Sequence, residues 1–166
     1  MAENTVLATI EDDAPRGSDV DVLLNRFASA LGKTDGVVPD MISTVDLSDE
    51  EGQDVALVAM TSAERLEDNL NKEFNLKHVM VERSEAMDNE TGELNETARI
   101  ILIKDDGTAF STGSASVARS VGAIIGLRGA PADWATPSRV IVEQVKTRSN
   151  RQAFALRYLG RAKAAK

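Results

Sequence analysis

Residues 98–112 read ARIILIKDDGTAFST, and the fold turns on how this stretch is read. An apolar run from Ile100 to Ile103 leads into Asp106-Gly107, and a second extended segment carrying Phe110 follows. Asp-Gly tolerates the positive φ angles of a tight hairpin turn, so the pattern predicts two antiparallel strands. Ser114 or Ser116 then offers an N-cap to a helix with Val117, Val121, Ile124 and Ile125 on one face, closed by Gly126 and Gly129. GAPADWATP (129–137) reads as a loop, and RVIVEQVK (139–146) and QAFALRYL (152–159) read as a hairpin turning at 147–151. The order from Ala98 is strand, strand, helix, strand, strand. It predicts an α+β class with an antiparallel sheet, an OB-like barrel whose end is plugged by the helix at 115–127.

Working back toward the N-terminus, residues 84–97, SEAMDNETGELNET, are polar and acidic and read as a loop. LKHVMVE (76–82) reads as a strand. Leu66, Leu70 and Phe74 recur every four residues behind a Thr61–Glu64 capping-box pair, which predicts a helix of about a dozen residues. VALVAM (55–60) is a short apolar run and reads as a buried strand. Upstream, VDLSDEEGQD (45–54) is acidic and turn-like, and GKTDGVVPDM (32–41) is a loop. Ser18 can cap a helix carrying Val20, Leu23, Leu24, Phe27 and Leu31, with Gly32 ending it. Residues 1–17 read as a flexible acidic arm, 18–160 as one domain with its OB-like part at about 96–160, and 161–166 as a basic tail. The length suits one well-cored domain.

Charge is unevenly placed. The net charge is −8, yet residues 138–166 hold eight bases and a single acid, Glu143. Residues 1–137 are left with −15. Such asymmetry points to a polyanion-binding end on an acidic body. Cysteine is absent, which excludes disulfides and thiolate metal sites. No run approaches the ~18 apolar residues of a membrane span, and the N-terminus lacks a signal-peptide pattern. The expected location is the cytoplasm, that of a host cell if the protein is viral.

The residues argue against an enzyme. His78 is the sole histidine, so no serine has a histidine pair to work with, and Gly113-Ser114-Ala115-Ser116 reads as helix capping. The segment from Gly107 to Gly113 lacks the Gly-Lys-Ser/Thr end of a P-loop. Asp12-Asp13, Asp49-Glu50-Glu51 and Asp105-Asp106 read as solvated loops and not as a Mg²⁺ site. No cofactor or metal is expected.

Single-stranded nucleic acid asks for a basic track for phosphates and aromatic rings for unstacked bases. Arg139, Lys146, Arg148, Arg151, Arg157 and Arg161 supply the first. Phe154 and Tyr158 sit among them, and Phe110 and Trp134 are further candidate platforms, although Phe154 can equally belong to the core and Trp134 can instead anchor its loop. Because these bases fall on expected strands and a turn, a single strand suits them better than a duplex, whose readers more usually present a groove-entering helix.

The elements Asp106-Gly107, Phe110, Ser114 to Leu127 and Lys146 to Phe154 resemble the small single-stranded DNA-binding proteins of tailed phages, over roughly residues 96–160. The resemblance implies a protein that coats displaced strands during genome replication, without sequence preference or cofactor. Single-stranded DNA is then the first expected partner. Replication proteins and further copies of the chain are others, and a non-enzymatic phage adaptor or assembly protein is the alternative reading.

Overall fold

The Asp106-Gly107 turn forms as its sequence predicts: Gly107 has φ +86°, and Asp106 Oδ1 accepts from the backbone N–H of Thr108 at 2.9 Å. It joins two strands in a computed structural model that describes residues 18–32, 40–150 and 152–164. In chain order the elements are helix α1 (Ser18–Ala30), strand β1 (Met41–Ser43), helix α2 (Glu50–Ser62) and strand β2 (Glu64–Arg65). Strands β3 (Glu73–Met87), β4 (Leu94–Lys104) and β5 (Ala109–Thr112) follow. Helix α3 (Ala115–Arg128) and the hairpin β6 (Ser138–Lys146) and β7 (Gln152–Arg161) complete the order, with 3₁₀ turns at Leu66–Asn69 and Pro131–Asp133.

The sheet runs β2-β5-β4-β3-β6-β7, with β1 added on β3. All pairings are antiparallel except β2 with β5. Three helices among the described residues and a strongly curled half-barrel sheet make this an OB-like α+β fold.

Apolar residues on both faces of β3 and β4 explain the unbroken run at 100–103. Val79, Val81, Ile100 and Leu102 face the main core with Leu24 and Phe27 of α1 and Val121 and Ile125 of α3. Met80, Ile101 and Ile103 face the opposite way, against Ala56 and Ala59 of α2. A strand covered on both sides needs no polar alternation. Helix α3 has Ser114 as its N-cap, accepting from Val117 N at 3.3 Å, and all four residues expected on its apolar face are buried.

Three upstream expectations are corrected. Residues 55–60 lie in α2, not in a strand. Asp49 caps that helix by accepting from Gly52 N at 2.7 Å, with Glu50 and Glu51 in the first turn where acids oppose the positive end of the helix dipole. Ala56 and Ala59 are buried in the core and Val55 and Met60 pack against it half-buried, while Leu57 and Val58 are exposed.

Thr61 does not open a helix. It sits in the last turn of α2 and donates back to Leu57 O at 2.8 Å. Leu66 is a buried 3₁₀ residue, Asn71 takes φ +63°, and Phe74 already belongs to β3, so the four-residue spacing is incidental.

The expected loop at 84–97 is mostly strand. β3 and β4 stay paired out to Met87 and Leu94, and the turn itself is confined to 88–93. Residues 85–87, 94 and 96 of this outer part are exposed, so polar residues suit both faces there. The arm at 1–17 lies outside the described residues.

Candidate nucleic-acid interface

The β6–β7 hairpin carries most of the candidate residues, and strand alternation sorts them. Val140, Val142, Phe154 and Leu156 belong to the main core and define the inward face. Tyr158 pairs with Val140 and shares that face, as does Arg161, which pairs with Ser138. Between them the register slips by one residue, and Gly160 takes φ +124°, a conformation that only glycine adopts at little cost. Without this bulge Arg161 would point the other way.

Arg139 and Arg157 stand on the outward face, each bound to a carboxylate. Arg139 donates to Glu73 Oε1 from Nε at 2.9 Å and from Nη2 at 2.6 Å, and Arg157 Nε donates to Glu143 Oε1 at 2.7 Å. The five of the six arginine and lysine candidates that are described therefore do not line one surface. At the far end of the hairpin, Lys146 and Arg148 are exposed and make no ion pair among the described residues. Arg151 lies outside the described residues.

Phe110 and Phe154, expected as stacking platforms, are core residues, 4% and 8% exposed. Phe110 packs edge-to-face on Phe74 with ring centres 5.1 Å apart, and Lys104 Nζ covers it at 4.4 Å. Neither phenyl ring offers a face to a base. Tyr158 is 42% exposed.

Trp134 is half-buried against the main core and donates from Nε1 to Gly129 O at 3.0 Å, which anchors its loop. The guanidinium of Arg128 lies over its ring, 4.5 Å from the centre. Arg128, the last residue of α3, also donates from Nη1 to Ser138 Oγ at 2.5 Å and from Nη2 to Thr136 O at 3.0 Å. Its pKa is lowered, first by burial and further by the nearby charge of Arg161, while Tyr158 opposes the shift. Arginine stays charged regardless. Arg128, Trp134, Tyr158 and Arg161 thus gather two rings and two cations at the base of the hairpin. The sequence reading missed Arg128, whose place at the end of α3 resembles an ordinary C-terminal helix charge.

Between this cluster and Lys146 run eight residues of β6, about 27 Å of strand. Several nucleotides of an unpaired strand fit that length. His78, by contrast, is a structural histidine on β3, its Nδ1 3.3 Å from Thr44 Oγ1, with a pKa lowered by burial and by Lys77. No group of three or more potential metal-ligating residues occurs among the described residues, and no helix there is long and apolar enough to cross a membrane.

No individual curated protein and no solved structure matches the chain. A family model does, the one described as phage single-stranded DNA-binding protein, over residues 35–158. That span takes in α2 and β3, which lie outside the resemblance over residues 96–160, and it ends at Tyr158. With an OB-like sheet and a cationic, aromatic hairpin already in view, the chain belongs to the family of phage single-stranded DNA-binding proteins.

Proposed function

We propose that this protein binds single-stranded DNA without regard to sequence, and that it coats and protects strands displaced during phage genome replication in the host cytoplasm. It does so without catalysis or cofactor. The observation that carries the reading is the exposed Tyr158 beside Arg161 and Arg128, with Lys146 and Arg148 farther along the same hairpin. Rings take bases by stacking and cations take phosphates, neither of which depends on sequence. Arg151, outside the described residues, joins the proposed track by its place in the sequence just before β7. Arg139 and Arg157 serve it less, because each already answers a carboxylate on the opposite face.

Repulsion from the acidic body does not forbid binding. It is screened beyond ~8–10 Å at physiological salt, whereas contacts between cations and phosphates persist. Replication proteins are the partners to which an acidic body is suited.

Anisotropy of a fluorescein-labelled dT 20-mer, titrated with protein at several salt concentrations, tests the reading. Five phosphate contacts give a slope of log K against log salt near −3.5, or about a hundredfold loss between 50 and 200 mM. A strand that fails to bind, or binds with a flat salt response, overturns it. The adaptor alternative draws on one feature, the exposed cross-strand pair Met87 and Leu94 at the β3–β4 tip. In that case the oligonucleotide does not bind.

A further inference from the structure

A cleft of about 420 Å³ opens beside Trp134, where the 129–137 loop meets β3 and the residues following β7. Its polar lining comes from Lys77 and His78 on β3, Asp105 ahead of the β4–β5 turn, Thr136, and Lys163 beyond β7. Arg128, over the indole ring, is not part of this lining.

These groups form a mixed set. Trp134 contributes its indole to the lining. Lys77 and Lys163 are exposed cations. Asp105 is an acceptor held in place by Asn75, whose Nδ2 donates to its Oδ2 at 2.8 Å, and Thr136 adds a hydroxyl. A phosphate by itself is repelled by Asp105 and has no use for an indole. A nucleobase has a π face to stack and both donors and acceptors on its edges, while the phosphates on either side of it want cations. The volume also lies within the ~300–1,000 Å³ of small-molecule pockets.

We infer that the cleft beside Trp134 is a subsite for one unpaired nucleobase of the bound strand, with Lys77 and Lys163 meeting its neighbouring phosphates. This rests on the single-strand reading above and extends the binding surface off the β6–β7 hairpin onto β3. Lys163 lies beyond the residues matched by the family model, so the subsite draws on a part of the chain that the family match does not cover.

Trp134 is the only tryptophan, so its fluorescence reports on the cleft directly. The probes are a dT 20-mer and a 20-mer of the same backbone with every base removed. The dT strand is expected to quench Trp134, while the abasic strand competes for the protein without quenching. Replacing both lysines, Lys77→Ala with Lys163→Ala, should weaken dT binding about tenfold and reduce the salt slope by about 1.4, two phosphate contacts at ~0.7 each. Two outcomes overturn the subsite while the single-strand reading stands. In one, labelled dT binds with Trp134 fluorescence unchanged; in the other, the abasic strand quenches as deeply as dT. Failure of labelled dT to bind at all removes the single-strand reading and the subsite with it.

Discussion

Arg128 covers the indole of Trp134 at 4.5 Å and hydrogen-bonds the hydroxyl of Ser138, a residue with no exposed surface. One side chain thereby joins the end of α3 to the loop and to the first residue of β6. Arg128→Ala should destabilise the protein by about 1–3 kcal/mol, since it leaves the Ser138 hydroxyl and Thr136 carbonyl short of a donor. Lysine cannot reproduce the paired donors and the flat contact, so Arg128→Lys should recover less than half of the loss. Urea unfolding measures both.

Exposure separates the aromatic residues. Tyr158→Ala should weaken binding to a dT oligonucleotide by about 1–3 kcal/mol with little change in the unfolding midpoint. Phe154→Ala should do the reverse, costing about 3–5 kcal/mol of stability because it empties part of the main core. Equal effects of both changes on binding, with stability intact, would place Phe154 on the surface after all.

The hairpin tip is expected to act through charge alone. Changing both Lys146 and Arg148 to Ala should weaken every single strand alike and make the salt slope shallower by about 1.4. Stability should stay within about 0.5 kcal/mol, as both side chains are exposed and without ion pairs among the described residues. A titration comparing dT and dC oligomers checks the uniformity.

Gly52 is fixed by space. A Cβ there would sit 1.6 Å from the carbonyl oxygen of Asp46, a backbone atom that cannot step aside. Gly52→Ala should therefore cost at least about 3 kcal/mol, although alanine is the better helix former. A normal urea midpoint in this variant would show that the turn before α2 can move.

His78 adds a pH dependence whose sign follows from its lowered pKa, caused first by burial and then by Lys77. A depressed folded-state value means that the unfolded chain binds the proton first. Stability is then full above about pH 6.5, the ordinary histidine value, and falls as pH drops from there toward the folded-state pKa. His78→Asn should flatten this part of the profile, read as urea midpoints at pH 7.5 and 5.5. An unchanged slope would assign the dependence to other groups.

How much of this was legible depends on how local the signal is. The Asp106-Gly107 turn, the Ser114 cap and the apolar face of α3 are settled by neighbours within a few residues, and they were readable. Leu66, Leu70 and Phe74 imitate a helix because a 3₁₀ turn followed by a strand can share the same spacing. VALVAM looked like a strand because length and hydrophobicity do not separate a short apolar run from a helix segment. The Asp49 cap with its two following acids was the signal that could have decided it.

By itself the sequence determined that positive charge collects on a C-terminal hairpin of an otherwise acidic α+β chain, since composition and two-residue alternation are properties of the chain alone. Tertiary structure decided which way that charge faces. The bulge at Gly160, the burial of Phe110 and Phe154, and the gathering of Arg128, Trp134, Tyr158 and Arg161 all depend on register with β6 and on where α3 ends. Those are set by contacts between residues far apart in sequence, and a one-residue shift in pairing reverses every side chain beyond it.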